Sequence, residues 1–115
     1  MSSQRAKFDT YRALAEPKCV WLGDDRYILA TGVGSMYLDL EGEDSITQPA
    51  LFTRVYHVPE LHGNLASVSA LVERGHAVTF DTQGCNISGR DGKLLGRATL
   101  TNGLYVLKGT AAAPD

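Results

Sequence analysis

The sequence predicts a mainly β domain, a small closed barrel or sheet-packed fold, with one short helix over about residues 64–74. Three observations carry that reading. Short runs of β-branched and aromatic residues recur along most of the chain, separated by Gly, Asp and Asn turn signals. A single window, "NLASVSALVERG", has helical spacing. At 115 residues and 43% hydrophobic content the chain closes one modest core.

In chain order, residues 1–18 are polar and read as an irregular segment, with one helical turn at Tyr11–Ala15 ended by Pro17. Residues 19–108 then form the folded domain. In "CVWLGDDRYILATG", two apolar runs, Val20–Leu22 and Tyr27–Ala30, flank the turn-formers Gly23-Asp24-Asp25-Arg26, which predicts a hairpin. Gly32 and Gly34 break or kink the chain before a half-buried strand, Ser35–Leu40, and a turn in "EGEDS". Ala50–Val58 reads as a strand ending at Pro59. Leu65, Val68, Leu71 and Val72 make the apolar stripe of the helix, capped by Asn64 or Ser67 and ended by Gly75. "HAVTF" is a strand, and two hairpins follow, turning at Gly89–Gly92 and Thr101–Gly103. Residues 109–115 read as a fraying tail.

A formal net charge of −2 gives no electrostatic reason to expect nucleic acid or an acidic membrane surface. No run reaches the ~18 apolar residues of a membrane span. The N-terminus lacks the apolar stretch of a signal peptide, so a cytoplasmic or nuclear location is expected. Cys19 and Cys85 fit no CxxC pattern and are expected to be reduced thiols.

Three blocks resemble the protease region of copia-type retrotransposon Gag-Pol polyproteins: "WLGDDRYILATGVGSMYLDL", "VYHVPELHGNLASVSAL" and "GHAVTFDTQGCNISGRDGKLLG" with "GLYVL". The middle block is similar to that family's "LYVPxLxxNLLSVSxL" pattern, through Tyr56, Pro59, Asn64, Leu65, Ser67 and Leu71, with Gly75 ending the helix. The resemblance, over roughly residues 8 to 107, implies a retropepsin-like fold of aspartic-protease ancestry. It implies that Cys19–Thr31 is a flap-like hairpin closing over a bound peptide, with Trp21, Gly23, Asp24, Asp25, Arg26 and Tyr27 at its end. The partners it implies are an extended peptide or polyprotein segment, or a second copy in a homodimer.

Retropepsin chemistry needs an Asp-Ser/Thr-Gly from each of two subunits, whose carboxylates share a proton. That tripeptide is absent from this sequence. In the resembling family it lies upstream of the hairpin, about where this chain begins, and a zinc-binding His/Cys region follows the domain. No catalytic residue is therefore assigned, and the expected activity is peptide or protein binding without proteolysis. The alternatives are a fragment of an active protease whose Asp lies upstream, and a structural or inhibitory module that pairs with an intact polyprotein.

Other chemistry-bearing residues have plainer explanations. Asp24-Asp25 sits in a tight turn, which selects Asp on backbone grounds, and so does Asp81 in "FDTQG". His57, His62 and His76 have no third ligand at a defined spacing, so no metal or cofactor is assigned. "TGVGS" and "SGRDG" do not precede a helix with a well-placed Lys, so they are not phosphate loops. Trp21, Tyr27, Tyr37, Phe52, Tyr56 and Phe80 are expected to pack in the core rather than to stack on nucleic-acid bases.

Overall fold

The computed structural model describes residues 1–22, 24–42 and 46–111. Gly23 of the expected hairpin turn, Glu43, Asp44 and Ser45 of the expected "EGEDS" turn and the last four tail residues lie outside them. The chain is mainly β with one short helix. Its strands are β1 (Phe8–Trp21), β2 (Tyr27–Glu41), β3 (Thr47–His57), β4 (Ala77–Phe80), β5 (Gly84–Ser88), β6 (Leu94–Thr101), β7 (Leu104–Leu107) and β8 (Gly109–Ala111). Helix α1 spans Val68–Glu73. They form two four-stranded sheets, one ordered β1-β2-β3 with β8 also on β2, the other β4-β5-β6-β7.

The chain divides into two units, residues 1–37, 51–66 and 111–115 in one, 38–50 and 67–110 in the other. In the first, Phe8, Ala30, Met36, Val55 and Val58 are buried. The N-terminus is stitched into this unit. Ser2 is fully buried, its amide donates to the Tyr56 carbonyl at 2.9 Å, and the Val58 amide donates to the Ser2 carbonyl at 2.8 Å. In the second unit Leu40, Leu71, Cys85, Ile87 and Ala98 are buried, and Gly96 leaves room for the Leu40 side chain. β4 to β7 are an antiparallel meander, and the turn between β6 and β7 places Asn102 and Gly103 at φ 51° and 81°. That tight, left-handed two-residue turn suits Asn-Gly and matches the twist of the flanking strands.

Residues 1–18 are not irregular, and no helical turn forms at Tyr11–Ala15. A 3₁₀ turn at Arg5–Lys7 leads into β1, which pairs antiparallel with β2. Pro17, read as a stop, sits in the register shift between Ala13 and Lys18, where a missing N–H costs no ladder bond. Gly32 and Gly34 do not break β2. They lie inside one continuous strand because the Tyr11 ring covers Gly32 and the Thr10 carbonyl approaches Gly34, both in space a Cβ would fill. At the other end, Gly109–Ala111 pairs with β2 rather than fraying.

The helix is shorter than its apolar stripe. Asn64 bridges to Ser2, and the Leu65 amide donates to the Met1 carbonyl, so residues 64–66 stay outside the helix. Ser67 is the cap, accepting from the Ala70 amide at 3.2 Å. At the other end the Gly75 amide donates to the Val72 carbonyl and the His76 amide to the Leu71 carbonyl, with Gly75 at φ 89°. This is a Schellman ending, for which glycine is the preferred residue. Only Leu71 of the stripe is buried; Leu65, Val68 and Val72 are exposed.

Candidate interaction site on the first hairpin

The far end of the β1–β2 ribbon is the hairpin expected from the sequence. Lys18, Cys19, Val20 and Trp21 pair with Ala30, Leu29, Ile28 and Tyr27. The Leu22 amide donates to the Arg26 carbonyl at 2.7 Å, closing the turn, and Asp25 adopts φ 63°. Asp24 accepts from Arg26 at 2.8 Å. That contact holds the exposed Asp24 carboxyl below its ordinary pKa, so it is a surface anion and not a proton donor.

Strand alternation puts directly paired residues on the same face of the ribbon. One face carries Val20 and Ile28, which are half-buried. The other carries Cys19, Trp21, Tyr27 and Leu29, all exposed, with Trp21 at 66% and Tyr27 at 52%. The Trp21 and Tyr27 rings meet at 5.2 Å. The expectation that these aromatics fill the core is thus corrected. Two strands paired to each other have two faces, and no described residue covers this one. Phe80 is also 47% exposed, against Tyr105 at 4.8 Å, while Tyr37, Phe52 and Tyr56 are half-buried.

The remaining motif residues hold the frame. Tyr56 takes the Ser2 amide on its carbonyl and a Lys18 ammonium at 3.3 Å on its hydroxyl. Pro59 sits in the turn that the Leu61 amide closes onto the Val58 carbonyl. Asn64 donates to the Gln4 side chain at 2.9 Å. Ser67, Leu71 and Gly75 cap, anchor and end the helix. Asp81 is occupied by its own turn, accepting from the Gln83 and Gly84 amides at 2.8 and 2.9 Å. Among the described residues no three His, Cys, Asp or Glu side chains converge as metal ligands would.

Two clusters have no local signal in the sequence. His57 Nδ1 lies 2.8 Å from the Tyr11 hydroxyl, Phe8 packs edge-on against both rings, and the Arg5 guanidinium stands 3.7 Å over the Tyr11 ring. Burial, and then the Arg5 charge, lower the His57 pKa below its ordinary value. The second cluster is a shallow groove of about 410 Å³ lined by Thr10, Arg12, Val33, Ser35, Thr53 and Arg54, among others. Both join residues from distant strands, so only the strand register reveals them.

Residues 1–76 match the model of the family described as Pol polyprotein, beta-barrel domain. The match covers more than half of the chain, which belongs to that family. No curated protein and no solved structure matches.

Proposed function

We propose that this Pol polyprotein β-barrel domain, of copia-type and retropepsin-like descent, is a binding module that grips an extended peptide or polyprotein segment and does not cleave it. The observation that carries the reading is the uncovered face formed by Cys19, Trp21, Tyr27 and Leu29 at the end of the β1–β2 hairpin. Rigid aromatic side chains beside an aliphatic one bury much area at low entropy cost, which is what a peptide anchor requires. An edge strand such as β1 supplies backbone donors and acceptors for an added strand. The sequence has no Asp-Ser/Thr-Gly, Asp24 is held ionised by Arg26, and Asp81 is committed to a turn. No carboxylate pair is thereby assigned to share a proton over a scissile bond.

Trp21 is the sole tryptophan, so its fluorescence reports on the hairpin. Titration with a pool of extended apolar peptides is expected to shift Trp21 emission to shorter wavelength. Tyr27→Ala is expected to weaken binding about tenfold, the order of one interface anchor, with the fold kept. Peptide binding seen by a second method while Trp21 emission stays unchanged places the site elsewhere and refutes the assignment.

A further inference from the structure

The groove on the first unit has a chemistry of its own. Thr10 pairs with Ser35 and Arg12 with Val33, so these four side chains project from one face of the β1–β2 ladder. Thr53 and Arg54 join them in lining the groove. Neither Arg12 nor Arg54 has an ion-pair partner among the described residues, and no carboxylate lines the groove. The Thr10 and Ser35 hydroxyls lie 2.7 Å apart, and the Ser35 amide donates to the Thr10 hydroxyl oxygen at 3.1 Å. Two hydroxyl groups carry two protons and their shared bond uses one. One O–H is left to donate in a groove that Arg12 and Arg54 also line, and guanidinium groups have donors and no acceptors. Arg54 is also held at φ 55°, a left-handed conformation uncommon for a residue with a side chain. Strained backbone of this sort concentrates at binding sites.

We propose that this groove is an anion subsite that takes a carboxylate of the bound peptide, an acidic side chain or a free C-terminus. The inference rests on the peptide-binding reading and supplies its specificity. A pair of forked guanidinium groups with a hydroxyl donor matches the lone pairs of a single carboxylate. A nucleic-acid backbone is the poorer fit, because tracking successive phosphates takes a basic stripe, and the chain carries a net charge of −2. Val33 and Tyr27 are six residues apart on β2, about 20 Å in a strand. A partner that reaches both sites therefore carries its acidic group roughly six residues from its apolar anchor.

The test is an amide chemical-shift titration of the full chain with two blocked peptides, alike except for Glu in one and Gln in the other. Inorganic phosphate and oligothymidylate are the parallel arms. The Glu peptide is expected to shift amides of residues 10–12, 33–35 and 53–54 and to bind at least tenfold more tightly than the Gln peptide. Arg12→Gln and Arg54→Gly are each expected to remove that preference, and glycine suits the backbone at position 54, so loss there is not a folding defect. Equal binding of the two peptides at the hairpin overturns the subsite and leaves the peptide-binding reading standing. Glu-dependent shifts in the groove, with Trp21 emission unmoved, support the subsite and count against the hairpin as the peptide site. Oligothymidylate binding more tightly than the Glu peptide overturns the carboxylate assignment, and so does a groove that responds to no probe.

Discussion

His57 is where a single proton matters most. Its ring is partly buried between Phe8 and Tyr11, and the Arg5 guanidinium stands over the same tyrosine, so an imidazolium is poorly solvated and has a like-charged neighbour. The folded-state pKa therefore lies below the unfolded value of 6.5. The unfolded chain takes up the proton first, so this contribution to stability is complete above about 6.5 and is lost as pH falls through the folded pKa. Thermal melts between pH 7.5 and 5 are expected to show a falling midpoint in the wild type. His57→Phe, which keeps a ring against Phe8, is expected to flatten that slope; an unchanged slope would falsify the role given to His57.

The two thiols differ in the same residue-by-residue way. Cys19 is exposed on the hairpin face, whereas Cys85 is 7% exposed and its pKa is raised by burial and then by the Asp81 charge. Iodoacetamide at pH 8 is expected to label Cys19 rapidly and Cys85 slowly, as peptide mapping will show. A Cys19 adduct also sits on the proposed contact surface, so labelled protein is expected to lose peptide binding. Equal labelling of both thiols contradicts the burial difference between the two strands.

Elements defined by local signals were legible in the sequence. The hairpin joining Trp21 to Tyr27, the turn ending at Gly103 and the Gly75 helix ending each need only neighbouring residues, and each forms. Of the two caps the sequence offered, Asn64 and Ser67, the helix uses Ser67. What was not legible depends on pairing across the chain. β1 is too polar to read as a strand by itself, and it exists because β2 lies beside it with glycines at the two places of closest approach. Gly34→Ala drives a Cβ into the Thr10 carbonyl, which is backbone and cannot rotate away. An overpacking loss of about 1–3 kcal/mol is expected. Gly103→Ala meets no atom and suffers only its positive φ, a cost of about 1 kcal/mol. Urea midpoints for the two variants check that order, and a larger loss at Gly103 refutes the close-approach account of β2.

On the scale of the whole molecule, the sequence pointed to a mainly β domain with one short helix, and the chain belongs to a β-barrel family of Pol polyproteins. The candidate site was half legible. Hairpin residues 21 to 27 were singled out, but the aromatics among them were assigned to the core, because hydrophobicity alone does not say which face of a ribbon has a neighbour. The Arg12 and Arg54 groove was missed altogether, since its members come from strands whose register no local motif encodes.

The central claim is that the domain holds an extended peptide and leaves it intact. Its most direct test incubates purified protein with a diverse peptide library across pH 4 to 7 and reads captured and cleaved species in one mass-spectrometric experiment. The account predicts capture of intact extended peptides, reduced in the Trp21→Ala and Tyr27→Ala variants, with no new termini. Discrete cleavage that a transition-state analogue of aspartic proteases blocks contradicts it, and would direct mutagenesis to Asp24, Asp25 and Asp81.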